Sequence, residues 1–211
     1  MRHSVTWPLA IPDDPAQDYG GRMAKLLYTA IMSFDGYISD ADGEYGSWGE
    51  PSHEEFVFLN ERGASVGVQL LGRRMYDEMI VWDSAHEWPE ASDVELEFAR
   101  QWRGSDKIVV STTLADVATL RTTLMRELDL EDVRRMRSES TRDIAIAGPT
   151  LAASAIRAHL VDEYEFYLKP VVLGGGTRAL PEGVRLDLEL LEERRFASGT
   201  IYTRYRDPAA T

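Results

Sequence analysis

Apolar runs with little polar interruption alternate along the chain with stretches of helical period, and this alternation predicts the elements. "KLLYTAIMSFDGYIS" (25–39) reads as a buried strand that turns at Asp35-Gly36. "SHEEFVFLNERG" (52–63) predicts a short helix: Ser52 can cap it, Glu54 and Glu55 suit its positive end, and Gly63 ends it. "SVGVQLLG" (65–72) is a strand, and "RRMYDEMIVW" (73–82) is a helix that opens directly at Gly72. In "SDVELEFARQWRG" (92–104), Val94, Phe98, Ala99 and Trp102 share one helical face. A strand follows at 106–114, ending in Ser111-Thr112-Thr113, then a short strand at 118–125 and a helix at 130–140 with a basic, solvated face. Strand 144–147 runs through Gly148-Pro149 into helix 150–159. "EYEFYLKPVVLGGG" (163–176) is a strand bent or ended near Pro170, and residues 186–207 form a hairpin turning at Ser198-Gly199.

Strands alternating with helices, closed by a hairpin, predict an α/β sandwich with a mainly parallel sheet and an antiparallel edge. No internal repeat or interior linker divides the chain. The expectation is one domain over 23–208, preceded by a flexible extension at 1–22, with Met23 a candidate natural start.

Composition narrows the function. The 211 residues are 44% hydrophobic, enough for a full core, and carry a net charge of −13, which argues against a nucleic-acid partner. No run approaches the ~20 apolar residues of a membrane span. With no Cys there is no disulfide, thiolate metal site or cysteine nucleophile. His3, His53, His86 and His159 form no helical metal pair, so no metal is expected. A cytoplasmic protein is the simplest expectation.

The candidate chemistry sits where strands end. Gly72-Arg73-Arg74, Ser111-Thr112-Thr113 and Gly148-Pro149-Thr150 each follow a strand, and ligands of open α/β sheets bind beyond the carboxyl ends of strands. Guanidinium forks, hydroxyls and bare helix-start amides suit a ligand with several phosphates. Pro149 also suits the first helical position, so the Gly-Pro seam has an architectural reading beside the chemical one. The Gly-x-Gly-x-x-Gly fingerprint is absent.

Together, "AIMSFDGYIS", "LLGRRMYDEM", "KIVVSTTL", "DIAIAGPTLAASAIRAHLVDEYEFYLKPVVLGGGT" and the closing hairpin resemble the dihydrofolate reductase-like family, in the branch of the RibD C-terminal domain of bacterial riboflavin biosynthesis. The resemblance covers nearly all of 25–207. It implies a three-layer α/β/α sandwich with a mostly parallel sheet and an antiparallel C-terminal hairpin, a homodimer, and an NADPH-dependent reductase similar to 5-amino-6-(5-phosphoribosylamino)uracil reductase. The alternative is a non-catalytic, nucleotide-binding dimeric relative acting as sensor or scaffold. Carried over by position, Gly72, Arg73, Arg74 and Met75 meet the adenosine phosphates, with Arg73 at the 2′-phosphate. Ser111 and Thr112 line the adenosine end, and Gly148, Pro149, Thr150 and Leu151 hold the pyrophosphate. Ala30 and Ile31 lie under the nicotinamide, covered by the loop after Asp35-Gly36. The family's Gly-Gly is Ala147-Gly148 here, and its cis peptide bond is expected to be kept. The carboxylate on the first helix is expected to be Glu54, with Glu55 its rival and water a third proton source. Phe58 is expected to pack on the substrate ring one turn later.

Tyr45, Trp48, Trp82 and Trp88 are candidate aromatic walls for a flat substrate. Lys169 interrupts a buried-looking strand; it can reach the substrate cavity to bind an anion, or snorkel at the sheet end. Gly174-Gly175-Gly176 forms a flexible loop near the site or a turn at the dimer interface. The pathway stays open, since these residues hold no counterpart of the zinc-binding deaminase unit that accompanies the riboflavin reductase.

Overall fold

The computed structural model describes residues 23–211, and the expected extension at 1–22 lies outside them. In chain order the elements are β1 (Leu26–Ser33), β2 (Tyr37–Ser39), α1 (His53–Gly63), β3 (Val66–Gly72), α2 (Arg73–Met79), α3 (Asp93–Gly104), β4 (Asp106–Val110), β5 (Thr122–Met125), α4 (Leu130–Glu139), β6 (Asp143–Ala147), α5 (Pro149–Arg157), β7 (Glu163–Lys169), β8 (Thr177–Arg178), β9 (Glu189–Arg195) and β10 (Ile201–Arg206). Eight strands form one sheet in the order β5-β4-β3-β6-β1-β7-β10-β9. All neighbours through β7 are parallel, and the closing hairpin pairs antiparallel. The fold is the expected mostly parallel α/β/α sandwich.

Near-continuous apolar strands are what a sheet covered on both faces demands. Leu26, Tyr28, Leu70, Ile108, Ile144, Ile146 and Tyr164 turn to the α4–α5 face, with Val133, Ala152 and Ile156 closing over them. On the opposite face, Leu71 and Val109 meet Tyr76 of α2 and Trp102 of α3, and Tyr167 and Tyr202 meet Phe58 of α1. Tyr202 lies directly opposite Tyr167 across the β7–β10 pair, their rings 4.9 Å apart. Among the described residues no helix is long and apolar enough to cross a membrane.

Several expectations are corrected. No cis peptide bond occurs among the described residues, so Ala147–Gly148 is trans. Gly148 makes the turn from strand to helix by taking φ +94°, a region open to glycine. The helix after Gly72 is shorter than expected; a 3-10 turn replaces it from Ile80 to Asp83. The helix after Gly148 begins at Pro149 and stops at Arg157, with His159 at φ +51° leaving the helical path. The face of α4 is not wholly solvated: Arg137 is buried and bonds Asp162 (2.7 Å) and the Thr211 carbonyl (2.7 Å). A two-stranded pair, β2 with β8, was not expected; it places the loop after β2.

Candidate functional site

The register of the sheet aligns the candidate segments. Gly72 pairs with Val110, Leu71 with Ala147, and Tyr28 with Ile146. The tips of β4, β3, β6 and β1 therefore stand side by side at one sheet edge. Continuing the registers brings Ser111, Gly72, Gly148 and Ala30 to nearly one level. The helices that leave two of these tips also meet: a Cβ on Gly72 would lie 3.8 Å from Leu151 Cβ, and one on Gly148 would lie 3.9 Å from Met75 Cβ.

The starts of these two helices differ from the other three. Helices α1, α3 and α4 carry acids in their first turns: Glu54 and Glu55, Asp93 and Glu95, Glu131 and Asp132. In each, a side chain bonds backbone at the start: Ser52 accepts from the Glu55 amide, Glu95 from the Ser92 amide, and Asp129 from the Asp132 amide. Helices α2 and α5 open on Gly72 and Gly148, with no side-chain cap and no acid in the first turn. Among the described residues no side chain accepts from their first-turn N–H groups, and these amides with the positive dipole ends suit an anion.

Arg73 reaches across this edge. Its Nη1 donates to Thr113 Oγ1 (2.7 Å), and its Nε lies 3.4 Å from Asp77 Oδ2, with both side chains half exposed. Arg74 is exposed and makes no ion pair among the described residues. Ser111 Oγ accepts from the amides of Thr113 and Leu114, which shapes the turn and leaves Thr112 exposed. Arg126 was missed by sequence reasoning. It follows β5 immediately and donates to the carbonyls of Ser111 (3.1 Å) and Leu114 (2.5 Å), placing a second guanidinium beside the same turn. Its only signal was its position one residue past a short strand.

The proposed substrate side is arranged differently from expectation. Glu54 points to the closing hairpin: Arg194 Nη2 donates to it at 3.0 Å and the Ala197 amide at 3.3 Å. Those two bonds, the amide's first, hold its carboxyl below the usual range. Glu55 is the buried one, 1% exposed. Its Oε2 accepts from the Ser52 amide (2.9 Å) and Lys169 Nζ (2.6 Å), and its Oε1 from Ser198 Oγ (2.6 Å). Burial pushes its pKa up, but the hydrogen bonds, led by Lys169 and Ser198, outweigh this and hold it below the ordinary value. Lys169 does not snorkel; it is buried against Glu55, with a second bond to the Glu50 carbonyl (2.8 Å).

The aromatic candidates divide. Trp82 and Trp88 turn into a cluster with Phe56 and Phe98 between α1 and α3, the Trp82 and Phe98 rings 4.7 Å apart. Phe58 is packed among Tyr202, Phe196 and Tyr167 under the hairpin and offers no free ring face, since Arg194 lies 4.9 Å from its centroid. Tyr45 and Trp48 stay in the loop after β2, where Tyr45 donates to the Gly49 carbonyl (2.9 Å). Asp35 ties the β1–β2 turn to the triple-glycine loop, accepting from Ser33 Oγ and from the Leu173 and Gly174 amides. These bonds, the Ser33 hydroxyl's foremost, draw its pKa down to about 2.

Comparison with known proteins agrees with this layout. The sequence profile of the RibD C-terminal domain family matches residues 24–202. The uncharacterized protein YyaP of Bacillus subtilis (strain 168) is 26% identical over 188 residues, covering 87% of this chain and 95% of that one. RibD of Acinetobacter baumannii superposes with a TM-score of 0.63 at 16% identity, covering 88% of this chain and 58% of that one. Dihydrofolate reductase from Enterococcus faecalis, solved with NADP(H), superposes with a TM-score of 0.55 at 15% identity over 87% of this chain and 96% of that one.

Proposed function

Because the chain belongs to the RibD C-terminal domain family, we propose that it is an NADPH-dependent reductase that transfers a hydride to a small heterocyclic or carbonyl compound. The observation that carries this reading is the pair of uncapped, acid-free helix starts on adjacent strand tips, flanked by Arg73 and Arg126. That donor set fits a dinucleotide with a pyrophosphate and a further phosphate. In this reading the Gly148, Thr150 and Leu151 amides hold the pyrophosphate, with Pro149 setting the first helical turn. Gly72, Arg73, Arg74 and Met75 bind at the adenosine phosphate, and Ser111 and Thr112 line the adenosine. Ala30 and Ile31 form the floor under the nicotinamide.

NADPH, when bound, supplies the hydride. The chain's part is to orient the reactants and exclude water; the loop at 40–51, with its Tyr45–Trp48 pair, does the latter. Glu54 is tied to Arg194 outside this edge and Glu55 already accepts from Lys169, Ser198 and Ser52. The proton that completes the reduction therefore comes from solvent, not from either carboxylate. The same engagement of both glutamates favours a second reading, a dinucleotide-binding dimer that acts as sensor or scaffold without turnover.

Titration with NADPH and NADH, followed by NADPH oxidation against a panel of small carbonyl and pyrimidine compounds, tests both. Preference for NADPH with turnover supports the reductase; NADPH binding with no turnover supports the second reading. Failure to bind either cofactor overturns both. Sedimentation velocity tests the homodimer that belongs to each reading.

A further inference from the structure

Lys169 is the last residue of β7 and pairs in register with Ser33, the last residue of β1. It stands at the sheet edge assigned above to the nicotinamide, yet its side chain is sealed inside the fold. Its two bonds join separate parts of the chain. One goes to Glu55, which also accepts from the start of α1 and from Ser198 in the hairpin turn. The other goes to the backbone carbonyl of Glu50, where the loop after β2 ends.

That loop is a preformed unit. Asp40 Oδ1 accepts from the amides of Asp42 and Glu44, and a 3-10 turn spans Ser47–Gly49. The Tyr45 ring lies so close over Gly49 that a Cβ there would come within 2.6 Å of Tyr45 Cζ. At its start, the loop is held where Gly176 passes beneath the Ser39 carbonyl, a site that a Cβ would approach to 1.9 Å. At its end, the tether is the Lys169–Glu50 bond. A buried ion pair gives little net stability compared with apolar residues of the same volume. The cation's distinctive contribution is thus the carbonyl it can hold, which a leucine or methionine could not.

We propose that Lys169 is a positioning residue: with its charge neutralised by Glu55, it grips the Glu50 carbonyl and fixes loop 40–51 over the tips of β1 and β7. This rests on the reductase reading of that edge. Glu55 is the counter-ion that makes the buried ammonium tolerable, and the hairpin turn is braced by the same carboxylate. Loop closure, first helix and hairpin are thereby joined at one point.

The test is the double variant Glu55→Gln/Lys169→Met. It removes both charges together, and Gln retains the capping role at the third helical position. Hydrogen exchange of the Gly49 and Glu50 amides, measured without ligand, reports the loop. The expected result is a cooperatively folded protein whose loop amides exchange about tenfold faster while core β-strand amides are unchanged. NADPH dissociation, followed by fluorescence, is expected to accelerate by a similar factor. Wild-type exchange rates in the folded double variant would overturn the proposal. If that variant does not fold, Glu55→Gln/Lys169→Leu replaces it; failure of both would assign the pair to the fold itself and overturn the proposal equally. Absence of NADPH binding by the wild type would instead remove the reductase reading, and the exchange experiment still decides the tether.

Discussion

Replacing Arg73 with alanine separates a phosphate role from a structural one. The Arg73 guanidinium is half exposed, bonds Thr113 Oγ1 at 2.7 Å, and has a loose partner in Asp77 at 3.4 Å. A hydrogen bond to a charged group contributes about 1.5–3 kcal/mol net. Exposure places this one at the lower end, and giving up the exposed Asp77 pair costs about 0–1 kcal/mol. The remainder, about 0.5–1.5 kcal/mol, is about a 2- to 13-fold weaker Kd for NADPH. NADH lacks the 2′-phosphate, so its Kd is expected to change by less than about twofold. Fluorescence titration of both cofactors with wild type and Arg73→Ala gives the four constants needed at each of two salt concentrations. Equal losses for NADPH and NADH would refute the assignment, because they would mean that Arg73 acts only by shaping the edge. Arg126→Ala serves as a contrast. Its guanidinium holds the carbonyls of Ser111 and Leu114, so its removal is expected to weaken both cofactors together.

Glu54→Gln is expected to leave NADPH affinity and turnover unchanged, since its carboxylate faces Arg194 and Ala197; steady-state kinetics checks this, and a large loss of kcat would restore Glu54 as the acid. Phe58→Ala is expected to cost about 3–5 kcal/mol in urea unfolding by opening a hole among Tyr167, Phe196 and Tyr202, with NADPH affinity in the surviving folded protein unaltered. Gly176→Ala is expected to abolish soluble expression or sharply lower Tm, because φ is +124° and the new methyl would meet the Ser39 carbonyl. Burial lowers the Lys107 pKa to about 8, against the opposing pull of Asp83 and Asp106. Its unfolded value is about 10.4, so between the two the unfolded chain binds more protons and stability is expected to rise with pH from 8 toward 10. Lys107→Met should flatten that rise in urea midpoints, and above pH ~10 the buried Tyr28, Tyr164, Tyr167 and Tyr202, all raised in pKa chiefly by burial, should reverse it.

The centre of the sheet was legible because β1, β3 and β6 are largely apolar on both faces and punctuated by Gly, Pro and Asp, a signal that survives without tertiary information. The cap of the first helix was legible too: Ser52, expected to cap it, accepts from the Glu55 amide. The division of labour between Glu54 and Glu55 was not. Neighbours on a helix point about 100° apart, so which one enters the core depends on the hairpin that docks from some 140 residues later. The fate of Trp82 likewise depends on Phe98 of α3, and that of Phe58 on Tyr202 of β10. Periodicity marks a residue as buried or exposed but not its neighbours. The trans bond at Ala147–Gly148 shows the complementary limit, a detail carried by likeness and set aside by a glycine that turns without it.

The charge of the chain and the charge of its candidate edge must be weighed separately. A net −13 would repel a polyanionic cofactor if the charge were spread evenly. It is not. Six acids stand at the starts of α1, α3 and α4, where each helix dipole absorbs part of their charge, and others are paired, as Glu163 is with Lys25 and Arg204. Each bare helix start presents roughly half a positive charge, and α2 and α5 bring two of them together with Arg73, Arg74 and Arg126. At physiological salt, fields fade over about 8 Å, so acids farther off count for little at this edge. Asp77, 3.4 Å from Arg73, offsets part of this charge, and it is this local balance, not the total, that a bound phosphate meets.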